Sequence, residues 1–439
     1  MTRPNRRERR EPVRLHIDTL SHEGRGVARV DGKAVFVHGA LPGEEVVARI
    51  LRRHGRFDEA ETLEVLQPAT ARIAPRCDHF GTCGGCSLQH LGEDDQLEHK
   101  QRVLLELLRH HAGVAPETVA APVHGPQWGY RRKARLGVKH VPKKGGVIVG
   151  FRERASPYIT DCQRCDVLDP RVGERLPALR ALIATLSIPD RIPQLELALT
   201  DTRVVIVLRH LAPLTAADTD TLAAFAALHD VEFYLQSGGH DSIVPLLGVA
   251  RALEYRIDDL VFAFAPLDFT QVNAAINRRM VAIALAHLDP HPDDHIVDLF
   301  CGIGNFSLPL AQRAGLVTAI EGEQALIARA LTNAAANDIT NCTFVVADLA
   351  VAERCVASMP NGVTKLLLDP PRTGALAVVE NVDFGAIERV VYVSCNPVTL
   401  ARDAAVLIGR HGYRLRETGV LDMFPQTAHV ESISVFDRR

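Results

Sequence analysis

Ile296-Val297-Asp298-Leu299-Phe300-Cys301-Gly302-Ile303-Gly304-Asn305-Phe306-Ser307 joins an apolar run to a glycine loop and then to a helical pattern. Such a run, rich in Ile, Val and Leu, predicts a strand buried on both faces, and glycines at its carboxyl end let a nucleotide-like ligand approach the backbone. The loop lacks the third spaced glycine of a dinucleotide fingerprint and any P-loop lysine. About twenty residues on, Val317-Thr318-Ala319-Ile320 ends in Glu321, an acid able to accept hydrogen bonds from ribose hydroxyls. Two more strand-like runs end in acids, at Phe344-Val345-Val346-Ala347-Asp348 and Lys365-Leu366-Leu367-Leu368-Asp369. Strands and helices alternate beyond about residue 270, which predicts a mostly parallel, doubly wound α/β domain.

A further run, Val390-Val391-Tyr392-Val393-Ser394, leaves Cys395-Asn396-Pro397 at its carboxyl end, where open α/β sheets place their chemistry. A thiolate there can act as a nucleophile if an electrophile and a base are close. Taken alone, such a cysteine is more often an inert core thiol. In the tail, Glu431 opens a terminal strand in His429-Val430-Glu431-Ser432 and is a candidate base, with His429 as a competitor.

The 439 residues, 47% hydrophobic and 23% charged, are those of a soluble globular protein of two or three domains. No signal peptide and no long apolar segment is read, so the chain is expected to be cytoplasmic, off the membrane and monomeric. Nine cysteines, an odd number, argue for thiols, metal ligands or a nucleophile rather than a disulfide framework. The net charge of -3 hides a balance of +4 over residues 1–76 and +8 over residues 128–154. Met1 to Arg14 alone carry six arginines. That segregation suggests a polyanion as partner of the amino-terminal half.

From about 13 to 68, short strand-like runs separated by glycine and proline turns predict a small all-β barrel. Within it, Leu20-Ser21-His22-Glu23-Gly24-Arg25-Gly26-Val27-Ala28 and Gly39-Ala40-Leu41-Pro42-Gly43-Glu44 resemble the TRAM domain, an OB-like RNA-binding module. Residues 93 to 113 predict a helix stopped by Gly113 and Pro116. Then Trp128-Gly129-Tyr130-Arg131-Arg132-Lys133-Ala134-Arg135 interleaves aromatic and basic residues, and Lys143-Lys144-Gly145-Gly146 marks a turn. A basic hairpin of this kind can stack unpaired bases and hold phosphates.

Cys77-Asp78-His79-Phe80-Gly81-Thr82-Cys83-Gly84-Gly85-Cys86 gathers three cysteines on a glycine-rich loop, and Cys162 and Cys165 are candidates for a fourth ligand. Four thiolates suit either zinc or a [4Fe-4S] cluster.

The loop at 298–305 with Glu321 resembles the donor site of S-adenosylmethionine-dependent methyltransferases. Asp369-Pro370-Pro371-Arg372 resembles the tetrapeptide of amino-group methyltransferases but has Arg372 where those carry an aromatic, which disfavours nitrogen methylation. Over essentially its whole length the chain resembles the RNA uracil-C5 methyltransferase family, and within it the 23S ribosomal RNA branch that carries a TRAM domain and an iron-sulfur cluster. The resemblance implies that Cys395 is the nucleophile and Glu431 the base. It puts S-adenosylmethionine contacts on Gln271, Phe300, Asn305, Glu321, Asp348 and Asp369. It turns the metal choice toward [4Fe-4S] on Cys77, Cys83, Cys86 and Cys165, with Cys162 a departure from the family pattern.

The implied domains are a TRAM-like barrel at 10–70, a central, mainly β domain with the cluster and the basic hairpin at 75–92 and 125–265, and a Rossmann-like class I methyltransferase domain at 93–124 and 266–439. The implied substrate is 23S ribosomal RNA. Transfer RNA uridine, RNA cytosine-C5 and a non-catalytic iron-sulfur RNA-binding protein are the rival readings.

Overall fold

A computed structural model describes residues 12–439; most of the arginine-rich start and the first two residues of the expected barrel domain lie outside the described residues. Two compact units emerge. The first comprises the chain up to Lys100 with Glu153–Ser156 and Gln426–Ala428, and the second the remainder.

In the first unit, β1 (Val13–His16), β2 (Thr19–Leu20), β3 (Gly26–Val30), β4 (Lys33–His38), β5 (Glu45–Arg53) and β6 (Phe57–Gln67) form a six-stranded sheet in the order β1-β5-β6-β4-β3-β2. The expected barrel is not closed by ladder hydrogen bonds, since β1 and β2 stand at opposite ends of that order. Yet only Ile17 and Asp18 separate them. Two residues span about 10 Å at most, whereas the edges of a flat six-stranded sheet lie about 24 Å apart, so the sheet must curl. Its inner face buries Leu15, Ile17, Val35, Val37, Val46, Ala48 and Ala60. Glu44, fully buried, fixes the turn before β5 by accepting from Leu41 N–H at 2.8 Å and from the Arg72 guanidinium at 2.7 Å.

Helix α1 (Glu93–Leu107) opens with Glu93, Asp94 and Asp95, which complement the positive end of its dipole. A π-turn at Leu108–Ala112 prolongs it, and Gly113, at φ +64°, ends it as expected.

The second unit holds two large sheets. Strand β7 (Thr118–Val119) is an edge of the later one. Strands β8 (Lys133–Val141), β9 (Gly146–Gly150), β10 (Gln194–Leu199), β11 (Val204–Arg209), β12 (Glu232–Gln236) and β13 (Ile243–Pro245) pair in the order β13-β12-β11-β10-β8-β9. Helices α2 (Pro170–Gly173), α3 (Leu176–Thr185) and α4 (Ala216–His229) accompany this sheet. The predicted hairpin is β8–β9, but most cations at its start are already paired. Arg132 meets Asp201 at 2.6 Å, while Lys133 and Arg135 share Glu196 at 3.2 and 3.1 Å. Tyr130 is buried, its hydroxyl donating to the Pro425 carbonyl, and offers no stacking face. Lys139 and Lys143, farther along, are exposed.

Helix α4 begins with a capping box. Thr215 accepts from Asp218 N–H at 3.2 Å, and the Asp218 carboxylate accepts from the backbone and side chain of both Thr215 and Ser187 at 2.6–2.8 Å. Burial alone would raise the Asp218 pKa, but these hydrogen bonds outweigh it and hold the group down to about 2. The folded value lies below the unfolded one, so the stabilisation is present above about pH 4 and is lost as the pH falls toward 2. Asp218→Ala should destabilise by about 1–3 kcal/mol at pH 7 and by much less at pH 2.5, as read by urea denaturation with hydrogen exchange in α4.

Strands β14 (Leu253–Ile257) and β15 (Leu260–Phe264) form a separate hairpin. After helix α5 (Ala274–Leu288) come β16 (His295–Leu299), helix α6 (Ser307–Ala311), β17 (Leu316–Glu321), helix α7 (Gln324–Ala336), β18 (Cys342–Val346), helix α8 (Ala352–Ser358), β19 (Lys365–Leu368), helix α9 (Leu376–Asn381), β20 (Arg389–Ser394), helix α10 (Pro397–Gly409), β21 (Tyr413–Leu421) and β22 (Glu431–Arg438). With β7 these strands form an eight-stranded sheet, β18-β17-β16-β19-β20-β22-β21-β7. Strands β18 to β20 in that order run parallel and β22 antiparallel, so the mostly parallel expectation holds for the part that carries the glycine loop. The order reverses between β16 and β19. A crevice opens there beyond the carboxyl ends of the strands. Ile296, Val297, Leu299, Leu366 and Leu368 are fully buried, worth roughly 1.5–3 kcal/mol each. Among the described residues no helix is long and apolar enough to cross a membrane.

Candidate active site

A cavity of about 540 Å³ occupies that crevice. Its walls include Phe269, Thr270 and Gln271, the loop from Phe300 to Phe306, Glu321, the run Asp369 to Arg372, Cys395, Phe424 and Glu431. One space therefore gathers both expected catalytic residues and five of the six expected donor contacts. Asp348 is the exception. It lies at the end of β18, exposed, its carboxylate accepting from Ala350 N–H, and does not line the cavity.

The donor loop is held by its own backbone. Phe300 adopts φ +67°, a left-handed conformation that costs a non-glycine residue about 1–2 kcal/mol, and its N–H is anchored on the Ile320 carbonyl at 2.9 Å. Gly304, at φ +95°, supplies a turn that a side chain would strain. Glu321 accepts from Gly302 N–H at 3.2 Å and from Gly322 N–H at 2.7 Å, so loop and acid are locked together. Asp298 is fully buried under the loop and receives the Ser307 hydroxyl; desolvation pushes its carboxyl up to about 7.

Asp369 follows β19, with its N–H on the Leu299 carbonyl at 3.3 Å, and desolvation raises its carboxyl to about 7. The segment behind it is tied to α10. Asn396 caps that helix by accepting from Val398 N–H and donates to the Arg372 carbonyl at 2.9 Å. Asp403, fully buried, accepts from the Tyr392 hydroxyl and from Ala375 N–H, both at 2.7 Å. Gly374 is required in this turn, because a Cβ there would lie 2.6–2.9 Å from Arg402, Asp403 and Thr399.

The register of β20 and β22 pairs Arg389 with Asp437 and, at the far end, Ser394 with Ser432. Cys395 follows that last pair on one strand and Glu431 precedes it on the other, so both stand at the same end of the β20–β22 pair, and both line the cavity. Burial pushes the Cys395 thiol up to about 11, with Glu431 and Asp369 adding to the rise and Arg372 opposing it. Glu431 is buried and its carboxyl is held well above the ordinary range, first by desolvation and then by Asp369. Both groups are thus held toward their protonated forms. His429 is exposed, with Arg372 Nη2 3.0 Å from its Nδ1, and does not line the cavity.

Sequence reasoning missed Tyr255, Asn277 and Phe424. Tyr255 comes from the β14–β15 hairpin, where its only sequence signal is strand alternation. The hairpin is fastened to α7 by two asparagines one turn apart. Asn333 brackets Ala263 and Asn337 brackets Val261, each amide both donating to and accepting from the backbone. Asn333 also donates to the Ile303 carbonyl at 3.2 Å, which ties the hairpin to the donor loop.

A protein-family model described as tRNA (Uracil-5-)-methyltransferase matches residues 92–439, and one for the TRAM domain matches residues 6–63. The chain belongs to the tRNA (uracil-5-)-methyltransferase family. Among relatives of this family, the 23S rRNA (uracil(1939)-C(5))-methyltransferase RlmD of Alkalilimnicola ehrlichii is 53% identical over 441 residues, covering 100% of this chain and 99% of that protein. The protein of the same name from Nitrosococcus oceani is 52% identical over 98% of this chain and 96% of its own. In fold, the Pyrococcus abyssi tRNA (uracil-54, C5)-methyltransferase, solved with S-adenosyl-L-homocysteine, is similar at a TM-score of 0.75 and 24% identity, covering 96% of this chain and 99% of that one.

The cysteine loop belongs to the first unit. Cys83 N–H donates to the His79 carbonyl at 2.9 Å, and Gly85 N–H points at Cys83 Sγ at 3.4 Å, a donor suited to a thiolate. Cys165 lies in the second unit, half-buried, with its N–H on the Gly173 carbonyl; Cys162 is buried. Among the described residues no group of three or more His, Cys, Asp or Glu side chains is gathered to hold a metal ion.

Proposed function

We propose that the chain methylates C5 of a uridine in 23S ribosomal RNA with S-adenosylmethionine, acting as a cytoplasmic monomer. The observation that carries the chemistry is that Cys395 and Glu431, at the same end of the β20–β22 pair, line the cavity walled by the glycine loop. The RNA class rests on full-length relatives whose name specifies 23S rRNA.

When bound, S-adenosylmethionine supplies an electrophilic methyl on a sulfonium. Glu321 would hold its ribose and Phe300, Gln271, Asn305 and Asp369 the remainder, with Asp348 assigned to the adenine end. Cys395, once deprotonated, adds to C6 of an extruded uracil and makes C5 nucleophilic. After the C5–methyl bond forms, Glu431 takes the C5 proton, the C6–sulfur bond breaks and the thiolate returns. Arg372 leaves no aromatic face for a planar amine, which favours carbon as the acceptor.

The three domains named from the sequence serve this reading. The TRAM sheet and the exposed Lys139 and Lys143 of the hairpin would hold RNA, with affinity falling as salt rises. Cys77, Cys83, Cys86 and Cys165 would hold a [4Fe-4S] cluster, whose role we assign to RNA positioning because methyl transfer has no redox step. Anaerobically purified protein should be brown and carry about four iron and four sulfide per chain, as four thiolates around such a cluster require. Colourless protein containing zinc would overturn the cluster. For the reaction, labelled donor should mark 5-methyluridine in 23S RNA; label in transfer RNA alone, or in 5-methylcytidine, would reject the assignment.

A further inference from the structure

We propose that Tyr255 is a positioning residue that fixes the Asn305 side-chain amide so that it presents an N–H to the carboxylate of the methyl donor. The inference rests on reading the cavity as the donor site.

Tyr255 and Asn305 both line the cavity, and the tyrosine hydroxyl donates to Asn305 Oδ1 at 2.9 Å. Asn277, buried on α5, forms a reciprocal amide pair with Asn305, with Nδ2 of each donating to Oδ1 of the other at 3.0 and 3.1 Å. Such a pair is symmetric. Turning both amides over together preserves both hydrogen bonds, so Asn277 alone cannot decide which end of Asn305 is oxygen. The hydroxyl breaks the symmetry: it donates to Asn305 Oδ1, and with the amides turned over it would have to accept from Nδ2 and leave its own hydrogen without an acceptor among the described residues. With Oδ1 taken twice and one Nδ2 hydrogen given to Asn277, the second Nδ2 hydrogen is left for a ligand. The Tyr255 ring is itself held, stacked on Phe262 with centroids 5.0 Å apart and planes within 7°. Burial keeps the hydroxyl protonated and hence a donor.

The electrostatics of the cavity identify the acceptor. Glu321, Glu323, Asp369 and Glu431 all line it, and the exposed Arg372 already contacts His429. These acids suit the hydroxyls and the ammonium of an amino-acid-bearing nucleoside. Its carboxylate, an acceptor-only group, requires an N–H, and Asn305 offers one without adding negative charge.

The test is calorimetric binding of S-adenosylhomocysteine and of its decarboxylated analogue, S-adenosyl-3-thiopropylamine, to wild-type protein and to two variants. Tyr255→Phe should weaken S-adenosylhomocysteine about tenfold, the scale of one charge-assisted hydrogen bond, and leave the analogue within about twofold. Asn305→Asp, of nearly the same shape, should lose S-adenosylhomocysteine and retain the analogue. Equal weakening of both ligands by Tyr255→Phe would reduce the residue to a structural support, and no weakening of either would remove it from the site; each result overturns the proposal. Wild-type protein that binds neither ligand would reject the donor-site reading itself.

Discussion

Cys395→Ala is expected to lower the methylation rate by at least about four orders of magnitude, because among the described residues the cavity wall offers no second accessible thiol to replace the adduct. Cys301, the other cysteine in the wall, is buried, and its thiol is pushed well above its usual range by burial and by Asp298. The decisive measurement uses RNA carrying 5-fluorouridine, whose fluorine cannot leave as a proton. Wild-type enzyme should form a complex stable to denaturing electrophoresis, and the variant should not. A variant that still traps would move the nucleophile elsewhere. The pH dependence has a definite sign. Burial holds the thiol up at about 11 in the ligand-free protein, so little of it is thiolate at neutral pH. Where thiolate formation limits, trapping should speed up about tenfold per pH unit between pH 6 and 9. A profile that levels off near neutral pH would mean that bound donor and RNA bring the thiol into the neutral range first.

Glu431→Gln separates the two halves of the reaction. The amide is nearly isosteric and keeps a hydrogen-bonding end, but it cannot take the C5 proton, so turnover should fall by about 10²–10⁴. Adduct formation should survive, because the bond to C6 is made by Cys395 and not by the carboxyl. The variant should therefore accumulate a methylated covalent complex on ordinary RNA, detectable as donor-derived label that migrates with the protein. Label released as free 5-methyluridine at the wild-type rate would assign the base to another group. His429 is placed poorly for that role, being exposed and outside the cavity.

Legibility in the sequence followed the range of the interactions. The run 296–307 could be read as strand, loop and helix start because strand burial, positive φ at glycine and the helical period are local properties. Helix α1 and its stop at Gly113 were legible for the same reason. The basic hairpin was legible as an element, but not the pairing of the cations at its start. Its charges stand in one segment, but their partners, Glu196 on β10 and Asp201 in the turn after it, come from a strand laid beside it only on folding. The curled first sheet repeats the point, for its strands were visible and the way its edges meet was not.

The sequence by itself thus determined the element types and the inventory of reactive groups: a thiol at one strand end, acids at others, and a glycine loop between strand and helix. Tertiary structure alone decided which of these meet. Cys395 and Glu431 come to one cavity because β22 runs antiparallel to β20 in a single register, which brings the end of one strand beside the start of the other. Tyr255 reaches the donor loop because Asn333 of α7 and Asn337 at its carboxyl-terminal cap clasp its hairpin by the backbone. The physical reason is common to both. Periodicity and glycine conformation are set within a few neighbouring residues, whereas register and side-chain clasping arise from contacts between segments far apart in the chain.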